Sequence, residues 1–110
     1  KYEPVIRETL TKYISLDNII FVNQREALGT GHAVQCALPQ LNTLPKNDKV
    51  LILSGDVPLL KENTMKSMFS SNHLVNLLTT LYDDPHGYGR IITNKSGDFL
   101  KITEEKEKYR

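Results

Sequence analysis

The chain has 110 residues, of which 39% are hydrophobic and 25% charged, and a formal net charge of +1. That balance carries no electrostatic footprint for nucleic acid or an anionic membrane, and the length suits one domain or part of a larger one. A lone cysteine, Cys36, excludes an internal disulfide, and no apolar run is long enough to cross a bilayer or to make a signal sequence, so the expected setting is reducing and cytoplasmic.

In chain order, Glu3 to Ile14 predicts a helix: Ile6, Leu10, Tyr13 and Ile14 recur at helical spacing, with Lys and Glu on the other face. Asp17-Asn18 signals a turn, and Ile19 to Val22 reads as a short buried strand. Asn23 to His32 is a loop with two glycines that feeds a second helix, whose apolar stripe is Ala33, Val34, Ala37, Leu38 and Leu41. Thr30 is the expected N-cap. A glycine-containing loop entering a helix presents unpaired backbone N–H groups and the positive end of the helix dipole, which suits a phosphate or a base edge. The pattern is neither G-x-G-x-x-G nor a Walker loop, and taken alone a tight turn plus a cap accounts for it. His32, His73 and His86 lack metal-ligand spacing and read as non-ligands. Cys36 reads as a small buried residue.

Pro39 to Asp48 is a polar connection. Val50 to Leu53 is a continuous aliphatic run, the signature of a strand buried on both faces, and it ends abruptly at Ser54-Gly55-Asp56. Gly55 permits a tight turn or close approach of a ligand. Asp56 lies just past the carboxyl end of that strand, the edge where open α/β sheets bind ligands. A carboxylate there is a hard-oxygen ligand for Mg²⁺ on a phosphate substrate; its plainer use is to cap a turn before Val57-Pro58. Lys61 to Ser71 predicts a helix with Met65, Met68 and Phe69 inward, and Leu74 to Tyr82 a third strand. Asp83 to Arg90 is a loop with glycines on both sides of Tyr88, and Ile91 to Thr93 with Phe99 to Thr103 predicts a hairpin turning at Asn94 to Gly97. The order α-β-α-β-α-β-loop-β-β predicts an α/β fold, a Rossmann-like, mostly parallel sheet flanked by helices and closed by a C-terminal β-hairpin.

Three stretches together resemble one family. Gln24-x-Glu26-x-Leu28-Gly29-Thr30-Gly31-His32-Ala33 is similar to the uracil-binding segment of sugar-nucleotide uridyltransferases. Gly55-Asp56-Val57-Pro58-Leu59 is similar to their metal-binding strand end. Asp84-Pro85-x-Gly87-Tyr88-Gly89-Arg90-Ile91, followed by Ile102-x-Glu104-x-Lys106, is similar to their sugar-binding loop and strand. The nearest resemblance is to the bacterial-type N-acetylglucosamine-1-phosphate uridyltransferases, and it covers nearly the whole chain. It implies the nucleotide-diphospho-sugar transferase fold and transfer of a uridylyl group from UTP to a sugar 1-phosphate, with Mg²⁺ as cofactor. It also implies that Gln24 reads the uracil edge, Gly29 offers backbone groups and Thr30 its hydroxyl. Asp56 would hold the metal as the catalytic residue. Ser54 and Gly55 would line the sugar site, Gly89 would offer its N–H to the sugar, and Glu104 would accept from a sugar hydroxyl.

Two departures qualify what the resemblance implies. The family's opening strand and Gly-rich triphosphate loop are not in this chain, nor are its later metal and sugar ligands, so residues 1–110 are expected to be the central part of one nucleotidyltransferase domain, an incomplete domain that is inactive alone. Ser54 stands where the family carries a tyrosine near the acetamido group, which leaves another hexose 1-phosphate open as substrate. A non-catalytic sugar-nucleotide-binding homologue is the alternative from a different class. The oligomeric state is not encoded in any of these features.

Overall fold

The computed structural model describes residues 2–105. Lys106, the last position of the sugar-strand motif, lies outside the described residues. The chain divides into two compact units, Lys1–Ile52 and Leu53–Arg110.

In the first unit, helix α1 spans Glu3–Thr11 and helix α2 spans Thr30–Leu41. Pro4 sits in the first turn of α1, where its missing N–H costs nothing. Glu3 and Arg7, one turn apart, form an ion pair at 2.8 Å. The helix stops three residues before the predicted Ile14, where the last turn tightens: Lys12 N–H donates to the Thr9 carbonyl at 3.3 Å and Tyr13 N–H to that of Leu10 at 2.9 Å, each only three residues back. The Arg7 guanidinium lies 4.0 Å over the Phe21 ring, which ties the segment 19–22 to α1 by a cation–π contact. Helix α2 runs through Pro39, predicted as the start of the following connection. The proline removes one helical donor, yet the helix continues to Leu41 and is closed at its C-cap, where Asn42 N–H donates to the Leu38 carbonyl at 2.8 Å.

In the second unit, helix α3 spans Glu62–Ser70 and the strands β1 (Arg90–Thr93) and β2 (Phe99–Thr103) pair antiparallel. Met65 and Met68 are half-buried on α3, whereas Phe69 stays exposed. The hairpin turn is tightly specified. Asn94 accepts from Ser96 and Asp98 N–H through Oδ1, both at 2.9 Å, and its Nδ2 donates to the Asp98 carboxylate. Gly97 takes φ 87°, a conformation in which a side chain is strained. A register shift between Ile92 and Thr93 places Lys101 opposite Ile92 and Phe99 opposite Thr93.

Among the described residues the expected parallel sheet is not seen. Among the described residues β1–β2 is the one ladder, and Ile19–Val22, Val50–Leu53 and Leu74–Tyr82 carry no strand pairing. The physical difference is closure. A hairpin is brought together by its own turn, whereas a parallel ladder depends on partners distant in sequence and on helices covering both faces. No described residue is fully buried, and Leu74 and Leu81 are as exposed as in an extended chain. No helix among the described residues is long and apolar enough to cross a membrane.

Candidate functional site

The loop before α2 is built around one glycine. Gly29 takes φ 107°, ψ 176°, and is itself the N-cap of α2; Thr30, the predicted cap, is the first helical residue. The reason is conformational: the chain must pass through positive φ to enter the helix, and glycine does so without strain. The Gly29 carbonyl then closes the first helical turn, accepting from Ala33 N–H at 3.2 Å. It also accepts from the Gln24 side-chain amide at 3.1 Å, so two of the predicted nucleotide-binding residues are held together. The Gln24 Nε2 lies 2.9 Å from Nδ1 of His32, and Nε2 of His32 lies 3.8 Å from Sγ of Cys36. Gln24, His32 and Cys36 are all half-buried. Beside them is an open hollow of about 390 Å³ lined by Asn23, Arg25, Glu26, Leu28, His32 and Cys36.

In the second unit, Ser54-Gly55-Asp56-Val57 forms a turn, with Val57 N–H donating to the Ser54 carbonyl at 3.3 Å. All three predicted residues here are exposed. Gly55 has no positive φ, and a Cβ built on it meets nothing within 4 Å. The turn itself therefore does not require glycine. Among the described residues, no group of three or more His, Cys, Asp and Glu side chains is arranged to hold a metal ion. Asp56 is thus a single carboxylate. That donor set fits Mg²⁺, which binds through one or two carboxylates and completes its shell with water and substrate phosphates.

The hairpin assembles a third cluster. Arg90 pairs with Thr103, so Gly89 and Glu104 follow immediately at the open end of the ladder. A Cβ on Gly89 would lie 3.1 Å from Ile102 Cγ2 and 3.5 and 3.6 Å from the Glu104 carboxylate oxygens. A side chain here would be tight against Ile102, and the Glu104 carboxylate stands beside the same position. Glu105, which sequence reasoning passed over, clasps the loop preceding β1: it accepts from Gly87 N–H at 2.7 Å and lies 3.2 Å from His86 Nδ1. Tyr82 and Tyr88 stack with centroids 4.9 Å apart. The Tyr88 phenol is held above the ordinary tyrosine range, first by its hydrogen bond and charge interaction with Tyr82, then by slight burial and the Asp56 carboxylate. The stacked pair, the Glu105 clasp and the Gln24–His32 contact each have at least one partner in an irregular segment, where periodicity carries no signal.

The comparisons with known proteins agree in one direction. Over 107 residues, 94% of the chain, it is 42% identical to the bifunctional protein GlmU of Clostridioides difficile. It is 43% identical over 102 residues, 91% of the chain, to the bifunctional protein GlmU of Idiomarina loihiensis. With the bifunctional protein GlmU of Streptococcus pyogenes it shares 40% identity over 105 residues, 92% of the chain. Each match takes in 22% of the relative, so the chain spans about a fifth of the length of the curated relatives it matches. No family model and no solved structure matches it.

Proposed function

We infer that this chain, whose sequence is similar to a segment of the bifunctional protein GlmU, serves a uridyltransferase: transfer of a uridylyl group from UTP to N-acetylglucosamine 1-phosphate, giving UDP-N-acetylglucosamine and pyrophosphate. The observation that carries this reading is the identity of about 40% along nearly the whole chain, which takes in the stretches around Gln24, Asp56 and Gly89. In this reading residues 1–110 belong to one nucleotidyltransferase domain.

The chemistry asks little of the side chains as nucleophiles. The phosphate of the sugar 1-phosphate attacks the α-phosphorus of UTP and pyrophosphate departs. The attacking oxygen is already anionic, so positioning and charge neutralisation set the rate. Bound Mg²⁺ supplies part of that neutralisation, and Asp56 is the residue that would hold it. Gln24 reads the base through its amide, supported by the Gly29 backbone and the Thr30 hydroxyl. Gly89 N–H and the Glu104 carboxylate take the sugar, and Ser54 and Gly55 leave room beside it. His32 is not a base for the Cys36 thiol. Its Nδ1 accepts from Gln24, so in the neutral ring the proton sits on Nε2, the nitrogen facing Sγ.

The test uses a full-length chain carrying this segment, assayed for pyrophosphate release from UTP and N-acetylglucosamine 1-phosphate in Mg²⁺. Turnover is expected, and Asp56→Ala should reduce it at least a hundredfold, the scale of losing a transition-state charge contact. Binding of the sugar nucleotide without any turnover would point instead to a non-catalytic homologue. Full activity of the Asp56→Ala variant would remove the metal role from this residue.

A further inference from the structure

We propose that His32 is a positioning residue for base selection: it fixes the Gln24 amide so that Oε1, and not Nε2, is presented to the pyrimidine. The proposal rests on the reading of Gln24 as the base-reading residue.

The argument is one of donors and acceptors. A backbone carbonyl can only accept, so the Gln24 amide atom 3.1 Å from the Gly29 carbonyl must be Nε2. The same Nε2 stands 2.9 Å from His32 Nδ1. An amide nitrogen carries two protons, and both are now committed, one to Gly29 and one to the imidazole. Among the described residues no donor is bonded to Oε1, so the group left for a ligand is a pure acceptor. Gln24 and His32 are both half-buried. The relay continues beyond the imidazole, because a ring that accepts at Nδ1 carries its proton on Nε2 and directs it at the Cys36 sulfur, 3.8 Å away.

An outward acceptor discriminates between pyrimidines. Uracil offers a ring N–H at position 3, which pairs with Oε1. Cytosine has a bare nitrogen there, which would face Oε1 lone pair to lone pair, and a site whose polar groups are left unpaired rejects the wrong ligand strongly. The direction of one amide therefore carries the choice, and two groups hold it: the Gly29 carbonyl, which no substitution removes, and the His32 ring, which can be replaced. Without the imidazole the amide keeps one tether and gains a free proton that can serve cytosine.

The experiment measures kcat/KM for UTP and for CTP in a full-length chain carrying this segment. His32→Leu, which has no acceptor, should lower the UTP-to-CTP ratio roughly fivefold, the size of one neutral hydrogen bond. His32→Asn, whose Oδ1 can accept near the former Nδ1, should restore it. Gln24→Ala should lower the ratio at least as far as His32→Leu. A ratio that falls in Gln24→Ala but not in His32→Leu overturns the positioning role and leaves base reading by Gln24 intact. A ratio unmoved by Gln24→Ala overturns the base-reading assignment, and the proposal with it. If His32→Leu does not fold, nitrogen NMR of the unmodified protein decides: a neutral ring protonated at Nε2 supports the proposal, and one protonated at Nδ1 overturns it.

Discussion

Asp56 acts on its surroundings through charge before any ligand arrives. Its carboxylate is the last of the influences that hold the Tyr88 phenol above its ordinary value, after the hydrogen bond and charge interaction with the stacked Tyr82 and a small burial effect. A phenol raised in the native state keeps its proton after the unfolded chain has begun to release it, near pH 10. Its contribution to stability is therefore complete below that pH and is lost as pH rises through the native value. Ultraviolet difference titration, with Tyr88→Phe as the reference for assigning the signal, should show Tyr88 ionising later than a free tyrosine. Tyr82→Phe should bring its midpoint down most, and Asp56→Asn should bring it down less and in the same direction. No movement in Asp56→Asn would mean that the carboxylate is not felt at the loop before β1. Ser54 offers a second test at this scale. It is exposed and small where the uridyltransferase resemblance has a tyrosine. Ser54→Tyr should raise the preference for N-acetylglucosamine 1-phosphate over glucose 1-phosphate by roughly fivefold, the scale of an aromatic contact worth about 1 kcal/mol; competition between the two sugar phosphates reads it directly.

Helix α2 depends on how it is entered. Gly29 holds φ 107° with ψ 176°, and a Cβ there would touch nothing within 4 Å. The cost of Gly29→Ala is thus conformational and not steric, on the order of 1–3 kcal/mol for a backbone held in a region that is essentially glycine's alone. If the chain relaxes instead, the carbonyl that closes the first turn and holds Gln24 moves with it. Circular dichroism should report lower helicity in Gly29→Ala, and the UTP-to-CTP ratio should fall with it; unchanged helicity and ratio would mean that the entry is not fixed by this residue. The same element shows what the sequence could and could not disclose. The stripe from Ala33 to Leu41 announced the helix, and the glycines announced the loop, but the choice of Gly29 over Thr30 as cap turns on a backbone angle that residue type alone leaves open. The hairpin was legible almost to the residue because Asn94 and Gly97 fix their turn through neighbours. Of the site, the glycines and the isolated carboxylates stood out in the sequence. Glu105, Tyr82 and His32 did not, since each works through a contact across a loop.

At the scale of the whole molecule, surface is the governing quantity. Among the described residues apolar side chains are exposed in the places where strands were expected: Ile52 and Leu53, Leu74 and Val75, Leu77, Leu78 and Leu81 all stand open. A run such as Val50–Leu53 contributes to stability only when neighbouring strands take its backbone groups and helices cover its faces. The relatives are several times longer than the matched segment. The 110-residue chain taken alone should therefore unfold without the heat uptake of a compact domain, about 70 kcal/mol near the midpoint for this length, and should bind an apolar dye strongly before any heating. Scanning calorimetry and dye fluorescence, with sedimentation alongside, distinguish the outcomes. A broad transition of well under half that enthalpy in a monomer, with bright dye, is the expected result. A sharp transition of full enthalpy in a sedimenting monomer would show that the apolar segments find partners within this chain. The same sharp transition in a dimer would show that unpaired strands are satisfied by a second copy, the hazard that open sheet edges carry.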